Sequence, residues 1–229
     1  MTVVTEKCID YTGSYIHITG AVVQARELLI HPNFRSKTSD YYQTHDYNNY
    51  AFDYCLIRVD TIDFAGLNNG TPPGLRIGST NLPDTNITFP PGIDIATSTK
   101  CMIAGWGKIN SYGQQSPALR EASVHVMSTK YCNNIAKTVS RKRQKEVFSR
   151  VTDDYSFCAG LQTGYNDTCQ GDSGGPLYCK MNGKWVIYGI TSHGADSRCG
   201  VAGRPGIYSK VSSIVPWIKQ YTQSKSKSI

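Results

Sequence analysis

Short apolar runs, each cut off by Gly, Pro, Asn or Asp, leave this chain few architectures to choose from. The runs Tyr15–Val22, Arg26–Leu29, Tyr54–Val59, Met102–Ala104, Ala122–Met127, Ser156–Ala159, Pro176–Tyr178, Trp185–Thr191 and Gly206–Lys210 read as strands bounded by turn residues. The pattern predicts an all-β protein. Two stretches read as helix. One runs over 129–136 after Ser128. The other runs over 214–221, with Ile214, Val215, Trp217 and Ile218 apolar, after Ser213, a residue type that caps helix starts. At 229 residues the chain suits one large domain or two fused halves with a real core. The polar, tyrosine-rich stretch 36–50 reads as a loop, and the turn-rich stretch 68–84 as a bridge between two sub-domains.

The eight cysteines, Cys8, Cys55, Cys101, Cys132, Cys158, Cys169, Cys179 and Cys199, contain no C-x-x-C pair. That argues against zinc ribbons and thioredoxin-type redox chemistry, and no metal or other cofactor is expected. An even number spread over the chain instead predicts a disulfide framework and a secreted, oxidising location. Residues 1–7 carry no apolar core of a signal peptide, so the natural front end is expected to be missing. No stretch approaches the ~20 apolar residues of a membrane span. The net charge of +7 is concentrated in short runs such as Arg141–Arg143, without the interleaved aromatics of a nucleic-acid platform. It reads as a soluble basic surface, and no nucleic-acid partner is expected.

The chemistry is carried by one string, Asp167-Thr168-Cys169-Gln170-Gly171-Asp172-Ser173-Gly174-Gly175-Pro176-Leu177. A serine hydroxyl attacks only when held in a tight turn and relieved of its proton. Flanking glycines let substrate approach and aim backbone N–H groups inward. A G-x-S-x-G core also occurs in α/β-hydrolases, where the acid and then the histidine follow the serine. Here the last histidine, His193, precedes the only later aspartate, Asp196, and βαβ alternation is missing, so that reading fails.

The string resembles the serine signature of the chymotrypsin/trypsin family. Four other segments resemble it as well: Cys101-Met102-Ile103-Ala104-Gly105-Trp106-Gly107, Asp53-Tyr54-Cys55-Leu56-Ile57-Arg58-Val59, Phe157-Cys158-Ala159-Gly160, and the run from Pro205 to Ile218. The resemblance covers nearly the whole chain. It implies two six-stranded Greek-key β-barrels, the first incomplete here, and a C-terminal α-helix. It implies one peptidase domain over residues 1–229, with 1–90 the remnant of the first barrel and connecting loop and 91–229 the second barrel and helix. It also implies roles: Ser173 as nucleophile, Asp53 as the acid that orients the catalytic imidazole with Ser192 beside it, and the N–H groups of Gly171 and Ser173 as the oxyanion hole. Asp172 would pair with the amino terminus freed by zymogen cleavage. Asp167 would lie at the base of a trypsin-type pocket with Gly194 and Gly206 in its walls, so cleavage would follow Arg or Lys.

Two departures stand out. His193 occupies a position where the family usually has Trp, as a wall of the substrate cleft, and two extra residues lie between Gly194 and Cys199. The family's bridges imply Cys101–Cys179, Cys132–Cys158 and Cys169–Cys199, leaving Cys8 and Cys55, the latter expected as a buried thiol, with a Cys8–Cys55 bridge as the alternative. The larger break is at the base. The family places its histidine directly before a cysteine, and here Lys7 precedes Cys8. A lysine is cationic at neutral pH and cannot accept the serine proton. His17 falls in a strand, His31 in a surface His-Pro turn, His45 in a loop and His125 in a strand. The expected activity is therefore that of a trypsin-like endopeptidase recorded without its N-terminal segment and inactive as this chain. The alternative is a catalytically inactive homologue that binds or inhibits other proteins. Expected partners are peptide substrates with Arg or Lys and protease inhibitors, and the chain is expected to be a monomer.

Overall fold

The computed structural model describes residues 2–4, 15–18, 21–34, 51–59, 99–135, 151–181, 184–194 and 198–222. Among the described residues there are ten strands: β1 (Thr2–Val4), β2 (Tyr15–Ile18), β3 (Ala21–Ile30), β4 (Cys55–Val59), β5 (Lys100–Gly105), β6 (Arg120–Met127), β7 (Ser156–Gly160), β8 (Pro176–Met181), β9 (Lys184–His193) and β10 (Gly206–Lys210). The fold is all-β, as the sequence predicts. The first four strands make an antiparallel sheet in the order β1-β4-β3-β2, and the last six close into a barrel, β10-β7-β6-β5-β8-β9.

Several details differ from the expectations. The apolar run Tyr15–Val22 is two strands, because Ile18 pairs with Ala21 and the chain folds back between them. β1 was not anticipated; it pairs with β4 through Val3 and Leu56. The final helix (Val215–Thr222) is entered through a 3-10 turn (Val211–Ile214), so Ser213 lies inside that turn and caps nothing; Lys210 precedes it with no side-chain cap. Residues 129–135 are helical as expected, and the Tyr131 N–H donates to Ser128 Oγ at 3.2 Å. The loop 36–50 and the bridge 68–84 lie outside the described residues.

The barrel interior is filled by alternating inward side chains, including Ile103, Val124, Val126, Phe157, Leu177, Tyr188 and Tyr208. Cys101 and Cys179 lie directly opposite each other on β5 and β8 and are bridged. Cys132–Cys158 ties the helical segment to β7, and Cys169–Cys199 ties the serine loop to the segment before β10. Cys55 is also disulfide-bonded, with a partner outside the described residues, which corrects the expected buried thiol.

A second apolar cluster joins the open sheet to the barrel and the final helix: Tyr54, Leu56, Ile190, Val211, Ile214 and Trp217. The Tyr54 hydroxyl is shared between two carbonyls of the barrel half, Lys210 at 2.6 Å and Tyr155 at 2.8 Å. Burial pushes its phenol well up, so it stays a donor. His31 stacks on Phe52 and meets Trp217 edge-on at 4.8 Å. It is buried within this aromatic group and does not sit on the surface as the His-Pro turn implied. Among the described residues no helix is long and apolar enough to cross a membrane.

Candidate active site

Ser173 is exposed at the tip of a turn whose backbone bonds to β9. The Gly174 N–H donates to the Thr191 carbonyl and the Thr191 N–H to the Gly175 carbonyl, each at 2.9 Å. This stitches the serine turn to the residue just before Ser192. Gly171 sits at φ 99°, a conformation that favours glycine, and a Cβ there would press to 2.7 Å from the Gln115 side chain. Among the described residues, the N–H groups of Gly171 and Ser173 donate to no protein acceptor.

Asp53 comes from the other half of the molecule, just before β4. It is 1% exposed. Ser192 Oγ donates to Asp53 Oδ2 at 2.6 Å, so the acid of the open sheet meets the strand stitched to the serine turn. Its place is set by the next residue, Tyr54, through the two carbonyls that hold its hydroxyl. Ser192 Oγ also lies 2.9 Å from His193 Nδ1.

Asp167 precedes the serine turn and is held by two backbone donors. Its Oδ1 accepts from the Thr168 N–H at 2.9 Å and its Oδ2 from the Gly200 N–H at 3.0 Å. Burial outweighs these bonds and pushes its carboxyl up to about 6. Gly206 keeps one side clear: a Cβ there would stand 3.0 Å from Asp167 Oδ1 and 3.0 Å from the Tyr208 hydroxyl. Burial, and then the neighbouring Asp167, push the Tyr208 phenol up. Gly194 is exposed at the end of β9.

Asp172 is half-buried and well partnered. Its Oδ1 accepts from the Gly107 N–H at 2.7 Å and its Oδ2 from the Cys169 N–H at 2.9 Å. A Cβ on Gly105 would collide with the carboxylate at 2.0 Å and one on Gly107 at 2.5 Å, which explains both glycines of the Gly-Trp-Gly string. Sequence reasoning anticipated a buried carboxylate awaiting a partner and missed these two amide donors. A cavity of about 250 Å³ opens beside Asp172, and of the anticipated site residues only Asp167 and Asp172 line it.

Lys7 and His45 lie outside the described residues. His17 is in β2, and His125 is exposed on β6. The hydrogen bond between Ser192 and His193 was not foreseen, because consecutive strand residues normally face opposite sides.

A closed six-stranded barrel carrying a glycine-flanked serine, with an aspartate delivered from a second sheet, defines the class: chymotrypsin-like serine proteases. The Trypsin family profile matches residues 11–218, and the chain belongs to that family. It is 32% identical over 208 residues to transmembrane protease serine 7 of Mus musculus, a match covering 90% of this chain and 22% of that protein. The Rattus norvegicus protein of the same name is also 32% identical, with 21% of its length covered. The chain thus spans about a fifth of the curated relatives it matches. Among solved structures it resembles neuropsin, a serine protease expressed in the limbic system of mouse brain. The TM-score is 0.60 and the identity 26%, covering 88% of this chain and 72% of that one.

Proposed function

We propose that this chain is the peptidase domain of a trypsin-type serine endopeptidase that cleaves after Arg or Lys, and that it is inactive as it stands. The domain runs over residues 1–229, with 1–90 the first-barrel remnant and connecting loop and 91–229 the second barrel and helix. The observation that carries the reading is the 2.6 Å contact between Ser192 Oγ and buried Asp53, which puts the acid beside the strand bonded to the serine turn.

In this reading Ser173 attacks the scissile carbonyl and forms an acyl-enzyme that water then resolves. The N–H groups of Gly171 and Ser173 receive the developing oxyanion, each such donor lowering the barrier by roughly 3–4 kcal/mol. Asp53 orients the imidazole that takes the serine proton. Asp167, its two backbone donors on one side and Gly206 leaving room on the other, holds a guanidinium or ammonium side chain. Ser192, His193 and Gly194 border the substrate. Asp172 binds the amino terminus of the activated chain, and the cavity beside it gives that terminus room. The missing element is the base, since Lys7 stands at the position the family gives to histidine. The bridges Cys101–Cys179, Cys132–Cys158 and Cys169–Cys199 favour an extracellular or secreted setting. Partners are peptide substrates with Arg or Lys and protease inhibitors, with the domain acting as a monomer.

The pocket is tested without turnover by titrating the chain with an arylamidinium, which mimics the Arg head group. Saturable binding that Asp167→Asn abolishes is expected. Equal binding by that variant would refute the Arg/Lys assignment.

A further inference from the structure

We infer that His193 is a positioning residue for Asp53, the outer member of an Asp53–Ser192–His193 relay in which its Nδ1–H holds the Ser192 hydroxyl so that the hydroxyl proton points at the carboxylate. This rests on the proposed reading of Asp53 as the orienting acid.

The strand geometry explains how adjacent residues come to touch. On β10 the pairing advances one residue, from Ile207 to Tyr208, while on β9 it moves two, from His193 to Thr191. Ser192 is therefore the extra residue of a β-bulge. A bulge breaks the strict alternation of side chains and re-aims the bulged residue. In a regular strand the Ser192 and His193 side chains would lie on opposite faces. Here Ser192 Oγ is 2.9 Å from His193 Nδ1 and 2.6 Å from Asp53 Oδ2.

Counting protons then fixes the direction of both bonds. An ionised carboxylate only accepts, and a serine hydroxyl has one proton to give. That proton goes to Asp53, so Ser192 Oγ can only accept from His193. Nδ1 must carry the hydrogen, and the neutral ring keeps its lone pair on Nε2. Asp53 and Ser192 are 1% and 4% exposed, so bulk water does not compete for these bonds. A buried network with every proton directed holds its members in one arrangement. The Trp that the family usually carries here has no donor at the equivalent of Nδ1, so this chain gains a tether on its acid.

The tautomer is directly readable. In a long-range proton–nitrogen correlation spectrum of the histidine-labelled chain, recorded above the usual imidazole range, His193 should show the Nδ1–H form. His31 serves as an internal reference of opposite sense, because its Nδ1 accepts the Asn33 N–H at 3.2 Å and its hydrogen is on Nε2. Ser192→Ala should convert His193 to the Nε2–H form, Ser192→Thr should preserve Nδ1–H, and His31 should be unchanged in both, which also reports an intact fold. His193→Phe should displace the carboxyl carbon resonance of Asp53, and His193→Asn, which keeps an N–H donor, should return it. An Nε2–H tautomer at His193 in the unaltered chain, an Nδ1–H form that survives Ser192→Ala, or an Asp53 resonance indifferent to His193→Phe would each overturn the relay. None of these readouts needs hydrolysis, so failure of the relay is distinct from failure of the protease reading.

Discussion

In the barrel half, six strands close on one another and every strand has two neighbours; in the other half, the four described strands form a sheet with β1 and β2 at its edges. The first kind of structure satisfies its own backbone donors, and the second leaves edge groups to be met elsewhere. The residues of the proposed site are divided along the same line. Ser173, Ser192, Asp167 and Asp172 belong to the closed half and are fixed by bonds within it. Asp53 belongs to the open sheet, and its position is borrowed from the barrel through the Tyr54 hydroxyl and the Ser192 hydroxyl. The difference teaches that the acid is the part of this site most exposed to damage done far from the serine.

The largest test of that division removes a brace of the closed half. Cys101→Ala with Cys179→Ala should cost about 4 kcal/mol, the loop-closure entropy for a sequence separation of 78, read from the denaturation midpoint. A loss under about 1 kcal/mol would show that strand pairing alone fixes the barrel.

Acid should act on the two regions in opposite senses. Asp167 titrates higher in the fold than its ordinary 3.8, at about 6. Its contribution is thus fully present below the unfolded value and is lost as pH rises through about 6, a change of about 3 kcal/mol. Asp167→Asn should flatten the stability profile across that window, as followed by denaturation at several pH values. His31, at the junction of sheet and helix, is shifted down by burial, so its contribution is present above about 6.5 and falls away as pH drops. A profile unaltered by Asp167→Asn would remove the burial argument for that carboxylate.

Tyr54→Phe should cost about 1 kcal/mol, because it removes the hydroxyl that ties the segment carrying Asp53 to the Lys210 and Tyr155 carbonyls, while the Tyr155 carbonyl keeps the Lys210 N–H at 2.8 Å. Hydrogen exchange should then quicken in β4 more than in β9; equal effects would mean that the two halves open as one unit. The smallest effect belongs to the open sheet's surface. Arg58 and Glu27 pair at 2.7 Å, but each is 40% exposed. A double-mutant cycle should give below about 1 kcal/mol of coupling.

Most of the barrel was legible in the sequence because its strands are short, apolar and punctuated; β10, Gly206–Lys210, is bounded as anticipated. Other features follow from tertiary contacts that carry no local signal. Ser213 has a good capping side chain, yet the chain enters its last helix through a 3-10 turn and the cap is not used. The run Tyr15–Val22 is apolar on both sides of a fold-back, so periodicity alone reads it as one strand. His31 looks like a surface turn residue until Trp217, 186 positions on, is found against it. The bonds between Ser192 and His193, and between Asp172 and the Gly107 amide, depend on a bulge and on a close approach of separate segments. The glycines at 105 and 107 did mark that approach, had the question been what lies against them.

The central claim is that the serine is held in place but has no base to take its proton, and reaction of the unaltered chain with a fluorophosphonate tests it most directly. Labelling of Ser173 should be slower than that of trypsin by about 10³-fold or more, the scale on which loss of a triad member acts. Labelling at trypsin's rate would contradict the account and would require an imidazole of this chain to reach Ser173.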